Sequence, residues 1–184
     1  LLAAGAAALL LAPPAPAQNL TVYTALETDQ LRAYQTAFEK ANPGITITWV
    51  RDSTGIITAR LLAEKANPQA DVVMGVAASS LARLDSEGML VPYAPRGLDR
   101  ILPQYRDRKN PPAWVGMNVW GTAICFNHRE AAKRGIPQPR TWRDLLNPVY
   151  RGQIVMPHPA SSGTGYMAVT GWQSLWGEAE AWKF

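Results

Sequence analysis

Between residues 20 and 88 short β-branched runs alternate with segments of helical periodicity. That alternation constrains the fold more than any other feature of the chain. "LTVYT" (20–24), "ITITWV" (45–50) and "ADVVMG" (70–75) have the length and composition of buried strands. "DQLRAYQTAFEKAN" (29–42) places Leu31, Tyr34 and Phe38 at helical spacing, and "IITARLLAEKAN" (56–67) and "SSLARLDSEG" (79–88) repeat the pattern. A β-α-β-α-β order predicts a parallel sheet with right-handed crossovers and helices on both faces. Glu39–Pro43 recurs as Glu64–Pro68, "EKANP" in both places. Each copy is expected to close a helix, with Asn in a left-handed cap and Pro blocking continuation.

The remainder is less regular. Residues 89–113 carry clustered prolines and bases and read as a surface connection with a short helix. "WVGMNVWGTAICFN" (114–127) is a long extended apolar run, expected to cross from one lobe to another, with Trp120 placed to line a cleft. Cys125, the one cysteine, falls in this run and is expected to be buried and inert. "TWRDLL" carries a capping box, Thr141 with Asp144. "GQIVMP" (152–157) reads as a strand, and "AVTGWQSLW" (168–176) as a helix.

Composition narrows the function. With 47% hydrophobic and 17% charged residues the chain suits a packed globular protein. A net charge of +4 spread along the chain, with no basic run, does not favour nucleic acid. "LLAAGAAALLL" followed by "APPAPAQ" looks like the apolar region of a secretory signal with an Ala15-Pro16-Ala17 cleavage site. It is too short to span a bilayer. The expected compartment is the periplasm, with residues 1–17 a partial signal peptide.

In open parallel sheets ligands sit beyond the carboxyl ends of the strands. Here "YTALETD", "RDSTG", "GVAASS" and "PHPASSGTG" follow strand patterns and lead into helices. They are rich in Ser, Thr, Ala and Gly. Free amides and the helix dipole make such places anion sites, although the same residues also serve as simple caps. "SSGTG" fits neither a phosphate-binding P-loop nor a nucleophile elbow. His128 and His158 lack metal-ligand spacing. Glu27, Asp29 and Asp52 are the nearby carboxylates, with Asp29 read as a cap.

These segments, together with "EGMLVPYAP", "NPPAWVGMNVWGTAICFN" and "YRGQIVMPHPASSGTGYM", resemble the extracellular solute-binding proteins of ABC importers. They are most similar to the branch named for 2-aminoethylphosphonate binding, a relative of the ferric-ion and spermidine binders. The resemblance covers nearly all of residues 20–184. It implies an α/β, periplasmic-binding-protein-like two-lobe fold of type II. Residues 18–113 would form lobe one and 114–184 a crossing segment and partial lobe two. It also implies a chain truncated at both ends, with open sheet edges and poor solubility.

By the same resemblance the ligand-binding residues are Thr24, Ala25, Ser53, Thr54, Gly55 and Ala78 from lobe one. Ser161, Ser162, Gly163 and Thr164 come from lobe two. Charge adds Glu27 or Asp52 opposite a ligand ammonium. The implied function is non-enzymatic: a monomer without cofactor binds a small anionic or zwitterionic solute, 2-aminoethylphosphonate, and delivers it to a membrane permease. A ferric-ion binder of the same fold and a cell-envelope phosphate or acyl hydrolase are the alternatives.

Overall fold

A computed structural model describes residues 18–184 of the chain. The signal segment and its cleavage site lie outside the described residues. The first part is α/β. Strands β1 (Gln18–Thr24), β2 (Ile45–Arg51) and β3 (Val72–Met74) form a three-stranded sheet in the order β2-β1-β3. Both pairings are parallel, with Val22 opposite Trp49 and Val72, and Tyr23 opposite Val50 and Val73. Helices α1 (Thr28–Ala41), α2 (Thr54–Ala63) and α3 (Ala78–Ser86) connect and flank the strands.

Neighbouring residues on a strand point to opposite faces, so the helices sort by the side chains they meet. Tyr23 and Val50 share a face with Ile57 and Leu61 of α2, Val76, and Leu84 of α3, which together make the core cluster. On the other face Gln35 of α1 accepts from Trp49 Nε1 at 3.0 Å. Helices therefore cover both faces, as the alternating pattern requires. Tyr23, Ile57 and Leu84 are each only 1% exposed.

The two "EKANP" copies behave differently. In the first, Glu39 to Ala41 complete α1 and Asn42 caps it. Asn42 is not left-handed: its φ is −132°, and its side-chain amide donates to the Phe38 carbonyl at 2.9 Å. The left-handed residue is Gly44, with φ 91°. In the second copy α2 has already ended at Ala63, and Glu64 to Asn67 form turns. Glu64 is drawn to Tyr23 and Arg60.

The second part is built of α4 (His128–Arg134), α5 (Gly163–Trp176) and α6 (Glu178–Lys183), with 3-10 turns at Trp142–Leu146 and Pro148–Tyr150. Trp142, Trp172, Phe184 and Trp176 contact edge to face, with centroids 4.9–5.5 Å apart. The Thr141–Asp144 capping box forms as expected. The strand expected at 152–157 does not: residues 154–157 carry no ladder, and Val155 is 96% exposed. Residues 116–127 are likewise without strand pairing. A strand exists only against a partner, and none of the described residues pairs with either run. Cys125 is exposed, not buried, because the run that carries it is uncovered.

Candidate functional site

Because all three strands are parallel, their carboxyl ends share one edge, and the direction of winding reverses at β1. That is where a ligand crevice opens in such sheets. Thr24 ends β1 there, but it is 0% exposed. Its hydroxyl accepts from Leu26 N at 3.1 Å and its carbonyl accepts from Asp52 N at 3.1 Å. Thr24 thus ties the first two loops together and is closed to solvent. Ala25 packs against the core cluster.

Both candidate carboxylates have local partners. Glu27 pairs with Arg51 at 2.7 Å, and Arg51 Nε also donates to the Leu26 carbonyl at 3.1 Å. Asp52 Oδ1 accepts from Ser53 N at 2.7 Å. Neither lines the cleft formed with the second part.

The opposite wall comes from the second part. Ser162 caps α5, its hydroxyl accepting from Gly165 N at 3.3 Å. The helix therefore begins at Gly163, five residues before the helical pattern expected at 168, and "SSGTG" forms its cap and first turn. The amides of Gly163 and Thr164 have no intrahelical acceptor, by helix geometry. The small residues of the motif are required by close packing. A Cβ at Gly165 would collide with the Pro157 carbonyl, and one at Gly163 would lie 3.0 Å from Thr54 Oγ1. Trp120 borders the same turn, its ring 3.5 Å from that position. Thr164 is exposed, and its carbonyl accepts from Thr122 at 3.2 Å.

The two walls touch. The Ser161 carbonyl accepts from Ser53 Oγ at 2.6 Å and from Gly55 N at 3.0 Å. Beside this contact lies a cleft of 340 Å³ between α2, the start of α3 and the start of α5. Of the residues expected to bind a solute, Thr54, Gly55, Ser162 and Gly163 line it. Ala77, Ser79 and Ser80 line it on either side of Ala78. Arg83 and Tyr166 also line it, and sequence reasoning missed both. Arg83 pairs with Glu87 at 2.7 Å, four residues on, and in sequence that spacing reads as an ordinary surface pair. A larger cavity of 520 Å³ lies within the second part, between Phe126, Leu145, Ile154, Met156 and Trp172. It is apolar and away from the sheet edge. Among the described residues no three His, Cys, Asp or Glu side chains cluster as a metal site, and no helix is long and apolar enough to cross a membrane.

Residues 67–184 match the family described as bacterial extracellular solute-binding protein. The chain is 31% identical over 151 residues to a probable ABC transporter periplasmic-binding protein of Sinorhizobium fredii, covering 82% of this chain and 40% of that one. Its structure is similar to that of the periplasmic binding protein AfuA from Actinobacillus pleuropneumoniae with exogenous fructose-6-phosphate bound. There the TM-score is 0.77 at 29% identity, over 90% of this chain and 53% of that one. Iron-bound HitA from Pseudomonas aeruginosa shares the fold, with a TM-score of 0.71 at 23% identity over 89% and 51% of the two chains. The chain thus spans about half the length of the proteins it matches or less.

Proposed function

The chain belongs to the bacterial extracellular solute-binding proteins, and from that premise we propose that it is the periplasmic solute-binding component of an ABC importer. Residues 18–113 form most of lobe one, and residues 114–184 begin lobe two. A small anionic or zwitterionic solute enters between the lobes, favours the closed form by touching both, and passes to a membrane permease unchanged. No bond is made or broken. The protein acts as a monomer.

One observation carries this reading. The first turns of α2 and α5, one from each lobe, converge on one cleft with Arg83 in its wall. Helix N-termini and a guanidinium all favour negative charge. The Gly163 amide and the Thr54 hydroxyl, both from residues that line the cleft, are the donors we assign to a phosphonate or phosphate group. 2-Aminoethylphosphonate is the specific candidate. Its ammonium would have to draw Glu27 from Arg51 or Asp52 from Ser53. The lining favours a second solute class, a hydroxylated phosphate ester, because Ser79, Ser80 and Tyr166 offer hydroxyls and Arg83 is a cation. The similarity to AfuA supports the same class.

A thermal melt with 2-aminoethylphosphonate, fructose-6-phosphate and inorganic phosphate tests the proposal. A solute at about 100 times its dissociation constant adds about 2.7 kcal/mol. A rise with the aminophosphonate alone supports the first candidate, and a rise with the sugar phosphate alone supports the second. A cooperative melt that ignores all three overturns the anion cleft.

A further inference from the structure

The contact between the two walls has a property that the solute-binding reading does not require. Ser53 occupies the N-cap position of α2, yet its side chain makes no capping bond to the helix. The hydroxyl donates instead to the Ser161 carbonyl of the facing segment at 2.6 Å, 108 residues away in sequence. Gly55 N, an amide of the first turn of α2, donates to the same oxygen at 3.0 Å. A Cβ built at Gly55 would lie 2.5 Å from the Ala160 carbonyl oxygen and 2.7 Å from that of Ser161. The 160–161 peptide therefore lies flush on the helix, at a distance that only glycine permits.

We infer that Ser53 and Gly55 are positioning residues that latch lobe one to the Ser161 carbonyl of lobe two, and are not solute contacts. A carbonyl oxygen is the negative end of a peptide dipole. Placed on free amides at a helix N-terminus, it satisfies the donors an anion would otherwise take. The Gly55 amide at the start of α2 is thus already taken by the protein itself. This holds the lobes in register and leaves the solute to the α5 turn, Thr54 and the Arg83 wall. A solute that needed the Gly55 amide would first have to break both latch bonds. The consequence for binding rests on the function proposed above, whereas the latch itself concerns only the two lobes.

The test measures lobe separation with no solute present. Spin labels are placed at Lys40→Cys on α1 and Arg129→Cys on α4, in a Cys125→Ser background, and their distance distribution is recorded by double electron–electron resonance. With Ser53 and Gly55 intact, one short population is expected. Gly55→Ala should move most of the distribution to longer distances. Ser53→Ala, which adds no bulk, should keep the short population but add a longer one. Circular dichroism confirms that each variant is folded. Should Gly55→Ala fail to fold, the Ser53→Ala distribution decides. A distribution unchanged in the folded variants overturns the latch. Because no solute is added, this result is independent of which compound, if any, raises the melting temperature.

Discussion

Tyr23 is the most buried large side chain of the sheet, and its phenol is nonetheless fully partnered. The hydroxyl donates to both Glu64 oxygens, at 2.8 and 3.1 Å, and Arg60 lies over the ring while donating to Glu64 at 2.8 Å. This network sits at the end of α2, where Glu64, the C-cap residue that opens the second "EKANP" copy, turns its side chain back to the sheet. Burial raises the Tyr23 phenol above its ordinary value, and the neighbouring Glu64 carboxylate raises it further. A folded-state value above the unfolded one means stability that is fully present below about pH 10 and lost as pH rises through the folded value. Tyr23→Phe should therefore cost about 2 kcal/mol at neutral pH, the worth of a hydrogen bond to a charged group. It should also flatten the alkaline limb of a stability-against-pH curve. Urea melts from pH 7 to 11 check both, and an equally steep alkaline limb in the variant would remove Tyr23 as its source.

Strand β2 is an edge strand, and α1 covers its open side. Glu39 Oε1 accepts from Ile47 N at 3.0 Å and from Gln35 Nε2 at 2.8 Å, while Gln35 also holds Trp49 Nε1. An otherwise open backbone donor on the sheet edge is thus closed by a side chain, which removes a site for edge pairing. The Ile47 amide, and after it Gln35, hold the Glu39 carboxyl below its usual range. A depressed folded value gives stability that is present above about pH 4.3 and lost as pH falls through the folded value. Glu39→Gln should flatten that acid limb while keeping the acceptor for Ile47. The protection factor of the Ile47 amide, its NMR exchange rate corrected for the intrinsic rate at each pH, should fall between pH 7 and pH 3.5 in the unaltered protein and change little in the variant.

The same element shows what was legible in the sequence. Residues 20–88 announce every strand and helix of the sheet, because periodicity and β-branching are local properties. The runs at 114–127 and 152–157 carry equally good strand composition, yet among the described residues the first makes only an isolated bridge, Val115 with Arg106, and the second makes none, since a ladder depends on a partner as well as on composition. The candidate site divides in the same way. The loops at the strand ends and the "SSGTG" turn were legible from their small hydroxyl residues. The Ser53–Ser161 contact and the place of Arg83 in the cleft wall were not. One is set by packing between distant segments, and the other is hidden in an ordinary i, i+4 ion pair.

At the scale of the whole molecule the second part differs from the first in how its apolar surface is covered. The sheet packs its core between helices on both faces, whereas the 520 Å³ cavity beside Trp172 opens between Ile124, Phe126, Ile154 and Met156. Trp172 Nε1 is buried without an acceptor among the described residues. Val155, at the rim of that cavity, is 96% exposed. Contiguous apolar surface of this kind drives association. Two measurements follow from it. The exposed Cys125 thiol should be labelled stoichiometrically by a thiol reagent under native conditions, where a buried thiol would resist. Val155→Lys should leave the melt within about 0.5 kcal/mol, as surface substitutions do, while reducing binding of a hydrophobic dye and raising solubility. A loss of 2 kcal/mol or more would instead mean that Val155 is packed in solution, because only a buried apolar side chain costs about that much to replace by a charge.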